Sequence, residues 1–582
     1  MVCDLCRSPA GRATIPEILF RSVEIAPESP AVSFVYGAEE IETVSRQNLL
    51  RWASRAAGAL REVGVRRGAP FIVALPTCRD TIAMYIAALC TGSVPVFIAR
   101  PRRSGRGEVY AAQINALAAE TGAAGIVLES DEADILAPLL TVPVIRREAL
   151  RDGPEIELTP DGSGDVAHLQ TTSGTTGAPK LAVVRHANIS ANVRAIGDAI
   201  EQRADDRVVS WLPLSHDMGL ICLSCAFGWQ VPLVLTDPAN FVRNPITYWL
   251  GIISRTRGTI SPAPASAYQV CARLGRHREL TGLDLSSWRV GFCGAEPVHE
   301  RILTDFSAAF SRYGLPPTTV LPVYGLAEAT LAATIPRGVS RVVDRIDATI
   351  LEQEGRAVSA TPTSSRPVSV VAVGQVLASH ALRVVDAEQR VLPERVVGEI
   401  EFAGPSAIDG YWGEDGHSSL KSADGYVRTG DLGYLAAGRL FVTGRKKEII
   451  IYYGRNLAPS QIEVFIEQGV NGFLPKGVAV IGIPSRAQGT EEVHLLVEAR
   501  VVPPDHRVPI EADIVSAVTE AFDVRLAGIH WLEKGGIPRG TSGKIQRYRC
   551  RQLVLAAKSD RGQLSARSLE GQAKGAWRDG SV

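Results

Sequence analysis

Between residues 165 and 335 one arrangement recurs. A short apolar run breaks off into a polar, glycine-rich or aromatic segment, giving HLQTTSGTTG, VVSWLPLSHD, VGFCGAEP and TVLPVYGLAE. Apolar runs separated by helix-length stretches predict strands alternating with helices, and so a mostly parallel α/β sheet. Ligands of such sheets bind beyond the carboxyl ends of the strands. Four unusual strand ends therefore predict one composite site.

The same alternation fills the first 130 residues. AVSFVY (31–36), PFIVAL (70–75), VPVFIA (94–99) and AGIVLE (124–129) read as strands. Helices are predicted at 46–62, where Leu49, Leu50, Ala53, Ala57 and Leu60 share a face, near 79–90 and near 108–121. Residues 340–444 are richer in β-branched residues and turns. After Thr443-Gly444-Arg445 the texture changes to strand-like EIIIYY, a helix opening at Pro459, strands at 477–482 and 493–499, and a last helix near 543–556. The expected architecture is α/β: a large N-terminal domain (1–444) of two parallel α/β subdomains plus a β-rich subdomain, and a small mobile C-terminal α+β domain (445–557). A polar tail (558–582) is expected to be disordered.

Composition narrows the function classes. With 62 basic and 62 acidic side chains the chain has no net field to gather nucleic acid or a membrane. No apolar run approaches the ~18 residues of a membrane span, and the N-terminal segment lacks the apolar core of a signal peptide, so the expected location is cytoplasmic. Nine cysteines in 582 residues do not suggest a disulfide framework. The pairs Cys3/Cys6 and Cys222/Cys225 would need to converge to hold zinc, and the second lies in apolar ICLSCAF, so reduced thiols are expected. One local charge imbalance stands out. Lys534 to Arg561 holds eight basic residues against the single acid Asp560, a stretch suited to an anionic neighbour.

The most specific local signal is Thr171-Thr172-Ser173-Gly174-Thr175-Thr176-Gly177-Ala178-Pro179-Lys180. Hydroxyls and backbone N–H groups can wrap phosphate oxygens, and Lys180 adds a point charge. Only two residues separate Gly177 from Lys180 and Leu181 follows, so this is not a Walker loop. It resembles the phosphate loop of the acyl-adenylate-forming superfamily. The resemblance continues in order through Gly294-Ala295-Glu296, Tyr324-Gly325-Leu326-Ala327-Glu328, Arg428-Thr429-Gly430-Asp431, Gly444-Arg445-Lys446-Lys447 and Pro538-Arg539-Gly540-Thr541-Ser542-Gly543-Lys544. Trp211 to Leu220 (WLPLSHDMGL), Ala327 and Gly454-Arg455-Asn456 narrow it to fatty acyl-AMP ligases, which pass an acyl group to the phosphopantetheine arm of an acyl carrier protein. The stretch between Thr334 and Gly374 falls where those enzymes carry an insertion that restrains the small domain.

The resemblance implies ATP and Mg2+, a carboxylic acid substrate, and a carrier protein or CoA as acceptor. Lys544 would bridge carboxylate and α-phosphate, Glu328 would hold Mg2+, and Asp431 with Arg445 would bind the ribose. Tyr324 and Gly325, with the 294–296 segment, would face the adenine, and Thr172, Thr175, Thr176 and Lys180 the phosphates. Lys447 would be the hinge. His216 could gate the acyl tunnel or touch the carboxylate, with Met218 beside it. Asp217 could bind a substrate ammonium, as in amino-acid-activating relatives, or be structural. Trp229 and Gln230 could shorten the acyl pocket or belong to the core. Acyl- or aryl-CoA synthetase, amino-acid adenylation and an inactive nucleotide-binding scaffold remain alternatives.

Overall fold

A computed structural model describes residues 13–561 other than 38–39, 101–106, 161–165, 173–179, 277–278, 339–340, 365, 414–419, 486–489, 500–501 and 541–543. Two sheets carry most of the chain. Strands Val144–Arg146, Ile126–Leu128, Pro70–Ala74, Val94–Phe97, Val166–Thr171 and Leu181–Arg185 form a six-stranded sheet in that order, parallel except for the last. The seven-stranded sheet runs Val320–Pro322, Val290–Gly294, Ile260–Pro264, Val208–Ser210, Leu233–Thr236, Pro30–Val35 and Ile41–Ser45. Its members pair in parallel apart from the final hairpin.

The sequence order does not map onto the sheets. Pro30–Val35, the first strand in the chain, lies beside Leu233–Thr236 in the second sheet. Val166–Thr171 instead completes the first sheet beside Val94–Phe97. The four unusual strand ends therefore come from both sheets and meet across one cleft.

Strands such as Pro70–Ala74 are buried along their whole length, which is why they read as continuous apolar runs. The far side of the seven-stranded sheet is closed by an aromatic core. There Trp249 packs edge-on to Tyr268 and Trp288, with ring centroids 5.0 and 5.4 Å away. Helix Ile15–Ile25 opens on a capping box in which Thr14 and Glu17 each accept the other's backbone N–H. It packs on helix Asp217–Trp229, so the N-terminal helix braces the element that lines the site.

Residues 381–445 form an antiparallel sheet in the order Ala381–Val385, Gly398–Ala403, Val427–Ala436, Arg439–Arg445. Ahead of it, strands Val343–Asp347 and Pro367–Val371 pair around helix Ala348–Glu354, whose N-cap Asp347 accepts from Thr349 and Ile350 N–H. The chain then builds a three-stranded sheet, Gly477–Ser485, Thr490–Glu498 and Leu526–Leu532, with helices Pro459–Glu467, Pro504–Phe522 and Arg547–Arg561. The last helix spans Arg547–Arg561. Residues 562–582 lie outside the described residues. Among the described residues no helix is long and apolar enough to cross a membrane.

Candidate active site

Helix Asp217–Trp229 organises the site. His216 caps it, with Met218 N–H 3.3 Å from His216 Nδ1 and 2.7 Å from Asp217 Oδ1, and the helix's positive end faces the cleft. His216 Nδ1 lies 2.5 Å from Asp217 Oδ1. Burial pushes the Asp217 carboxyl up, but His216 and, across the cleft, Lys544 outweigh it and hold it below the usual carboxylate range. Behind this pair, buried His168 faces Asp217 and His186. Burial drives its imidazole down to about 3, so it is neutral.

Two neighbouring strands build a second cluster. Asp431 sits opposite Arg445 in the antiparallel pair, and Arg445 Nε donates to Asp431 Oδ1 at 2.9 Å. Tyr324 Oη donates to Oδ2 of the same carboxylate at 2.7 Å. The Asp431 charge and burial of the guanidinium pull Arg445 in opposite directions, and the charge wins, raising it. Tyr324 is pushed well up, first by burial and then by Asp431. Asp431 is itself buried, and it reaches the cleft through Tyr324 and Arg445. Each carboxylate oxygen keeps a further acceptor lone pair.

Glu328 stands on a one-turn 3₁₀ segment, Ala327–Ala329. Tyr411 Oη donates to its Oε1 at 2.7 Å, and the Tyr411 ring also lies 4.4 Å beneath Lys180 Nζ. Thr172 ties back to Lys180 through both its N–H and its hydroxyl, at 2.8 and 3.1 Å, which closes the base of the phosphate loop. Ser173, Gly174, Thr175, Thr176 and Gly177 lie outside the described residues.

These groups share one cavity of about 2900 Å³. Thr172, Lys180, His216, Asp217, Met218, Trp229, Ala295, Tyr324, Gly325, Glu328, Arg445, Lys447 and Lys544 all line it. Gly294 and Glu296 do not. Gly294 is required by packing, because a Cβ there would fall 2.9 Å from the Val323 carbonyl oxygen. Glu296 accepts the Ser266 N–H at 2.8 Å at the start of helix Ala265–Gly275. Both residues instead hold Ala295, whose φ of +62° is a strained value for a side-chain-bearing residue.

A family model for AMP-binding enzymes matches residues 19–412. The chain belongs to the AMP-binding enzyme family. A Caulobacter vibrioides protein provisionally named an acyl-CoA synthetase is 31% identical over 89% of this chain and 91% of its own. Medium-chain-fatty-acid–[acyl-carrier-protein] ligase JamA from Moorena producens is 34% identical over 69% of this chain and 70% of its own. A solved structure from work on the fatty acyl-adenylate ligases of E. coli and L. pneumophila superposes with a TM-score of 0.85 at 30% identity, covering 95% of this chain and 99% of the other. This AMP-binding enzyme is an acyl-adenylate-forming ligase of mixed α/β fold.

One part of the ligase's site had no sequence signal, and another was weighed in the sequence for a different role. Tyr411 partners both Glu328 and Lys180 but belongs to no motif. Cys222 and Cys225 line an apolar arm of the cavity. Burial pushes Cys222 up to about 12 and Cys225 well above the usual thiol range, so both are protonated thiols that act as small apolar groups. Both are buried; Cys3 and Cys6 lie outside the described residues.

Proposed function

We propose that this ligase condenses a fatty acid with ATP to acyl-AMP and pyrophosphate, then passes the acyl group to the phosphopantetheine thiol of an acyl carrier protein. The carrying observation is that one cavity is lined both by Asp217, His216 and Lys544 and by the side chains of Met218, Cys222, Cys225 and Trp229. Such a lining suits a substrate with a polar head and an aliphatic tail.

A carboxylate attacks the α-phosphorus poorly because both are negative. The reaction therefore needs fixed positive charge where negative charge grows. Lys544 enters from the far side of the cleft to bridge carboxylate and α-phosphate. Lys180 and the Thr172 loop hold the other phosphates, while Arg445 and Asp431 hold the ribose beside Tyr324. The donor set around Glu328 suits Mg2+, which takes few protein carboxylates and completes its shell with phosphate oxygens and water. Among the described residues Glu328 Oε2 accepts no hydrogen bond, so Glu328 would hold the ion, which neutralises phosphate charge when bound. Residues 1–444 and 445–557 act as two bodies, and rotation at Lys447 exchanges the Lys544 loop for the thiol.

The acceptor reading is supported by the carrier-protein ligase relative, and CoA by the relative named as a CoA synthetase. Asp217 is engaged by His216, which argues against an ammonium-bearing substrate. Pyrophosphate release with ATP and a panel of fatty and amino acids tests the first step. Parallel incubation of the product with holo-carrier protein or CoA tests the second, and efficient acyl-CoA formation would overturn the carrier reading.

A further inference from the structure

We infer that Trp229, slotted against Gly197, is the floor of the acyl arm and limits this enzyme to chains of about eight to twelve carbons. The inference rests on the fatty-acid reading above and adds the length of the chain.

Met218, Cys222, Cys225 and Trp229 all line the cavity. Their spacing of four, three and four residues puts them in one stripe along helix Asp217–Trp229. The arm therefore runs parallel to this helix, with the reacting head at its N-terminus and Trp229 in its last turn. At about 1.5 Å per residue the stripe is about 16 Å long. Side chains on a helix lean toward its N-terminus, so the indole reaches back over about one turn. A trans alkyl chain advances about 1.25 Å per carbon, given 1.52 Å bonds at near-tetrahedral angles. The whole stripe would hold about thirteen carbons, and the indole removes about four.

The floor is held in place from two sides. Trp229 Nε1 donates to the Val193 carbonyl at 3.0 Å, a buried hydrogen bond that fixes the ring. On helix His186–Ala199, Gly197 leaves the room the ring occupies: a Cβ there would stand 2.8 Å from Nε1 and 3.4 Å from Cε2. Glycine costs helix stability, and here it gives the indole its seat.

The test is kcat/KM for pyrophosphate release across saturated acids from six to eighteen carbons. Wild type should peak between eight and twelve carbons and fall at least tenfold by sixteen. Trp229→Ala should move the peak longer and raise the sixteen-carbon value at least tenfold relative to the eight-carbon one. Gly197→Ala should push the indole into the arm and move the peak shorter. If Trp229→Ala does not fold, Trp229→Leu, a smaller plug, and Gly197→Ala decide the matter. Equal changes at all lengths, or a wild-type peak at sixteen or above, would overturn the inference. If no acid releases pyrophosphate, the adenylation reading fails separately. Displacement of a fluorescent fatty acid by acids of graded length then reads the arm directly, and length-independent displacement overturns the floor.

Discussion

Arg455 donates to Glu352 at 2.7 Å, joining a strand just past the proposed hinge to the helix Ala348–Glu354. Glu352 also receives both Nη atoms of Arg366 at 2.9 Å. The two arginines reach further: Arg366 Nε bonds the Ala521 carbonyl and Arg455 Nη2 the Phe522 carbonyl, at 3.0 and 2.7 Å. One nearly buried carboxylate therefore ties the 340–372 region to the C-terminus of helix Pro504–Phe522.

Glu352→Gln would take the shared carboxylate from two largely buried guanidinium groups, of which Arg455 keeps only the exposed Asp523 at 3.2 Å. Breaking a buried pair from one side costs about 3–5 kcal/mol. A lower urea midpoint is expected, together with faster hydrogen exchange at 515–523. The tie is not required for the chemistry itself, so adenylation should persist where the protein is folded. Unchanged exchange in that segment would show that other contacts hold the small unit.

Legibility followed chain distance. Lys544, Glu328 and Asp431 each sit in a contiguous motif, so the family resemblance carried by those motifs pointed to them. Tyr411 lies 83 residues from Glu328, and Glu352 lies 103 from Arg455. Neither partner stands in a local pattern that names the other. Apolar runs identified Pro30–Val35 as a strand, but a strand's residue pattern does not say which of two sheets receives it. Helix Pro504–Phe522 was missed because Pro509 lies inside it and proline reads as a helix breaker. The second strand of the 3-stranded sheet's parallel pair, Leu526–Leu532, is interrupted by Gly528, which blurs its pattern.

Lys544→Ala should slow pyrophosphate release by about 10²–10³, the usual loss for one charge-stabilising donor. Acyl transfer from preformed acyl-AMP to the thiol should change much less, because Lys544 leaves the cleft for that step under the two-body reading. Single-turnover measurements of each half-reaction separate the outcomes. Equal loss in both would place Lys544 in binding common to the two steps.

Glu328 shares one oxygen with Tyr411 and presents the other to the cavity. Glu328→Gln keeps the size and removes the charge, so half-saturation by Mg2+ should rise about tenfold or more with ATP in fixed excess. Tyr411→Phe removes only the hydroxyl that orients the carboxylate, and a smaller rise of a few-fold is expected. If Glu328→Gln leaves the Mg2+ titration unmoved, the ion is held by phosphates and water alone.

Acid sensitivity should originate beneath the site at His168. Burial first, and His186 second, hold its folded-state value down at about 3, against about 6.5 in an unfolded chain. As pH falls through 6.5 the unfolded chain takes up the proton and the folded one does not. The stabilising contribution is therefore complete above that value and drains as pH drops toward 3. Between pH 7 and pH 5 the loss is about 2 kcal/mol from this one residue. His299, lowered to about 4 by burial, adds a similar slope. Glu467, raised to about 7 by burial, acts with the opposite sign over the same range, so the histidine is read by difference: the change in urea stability between the two pH values should shift by about 2 kcal/mol between wild type and His168→Gln. Gln keeps a polar group opposite Tyr85 Oη, which lies 3.4 Å from His168 Nδ1, so the variant changes titration more than packing. The same pH dependence in wild type and His168→Gln would overturn the assignment to His168.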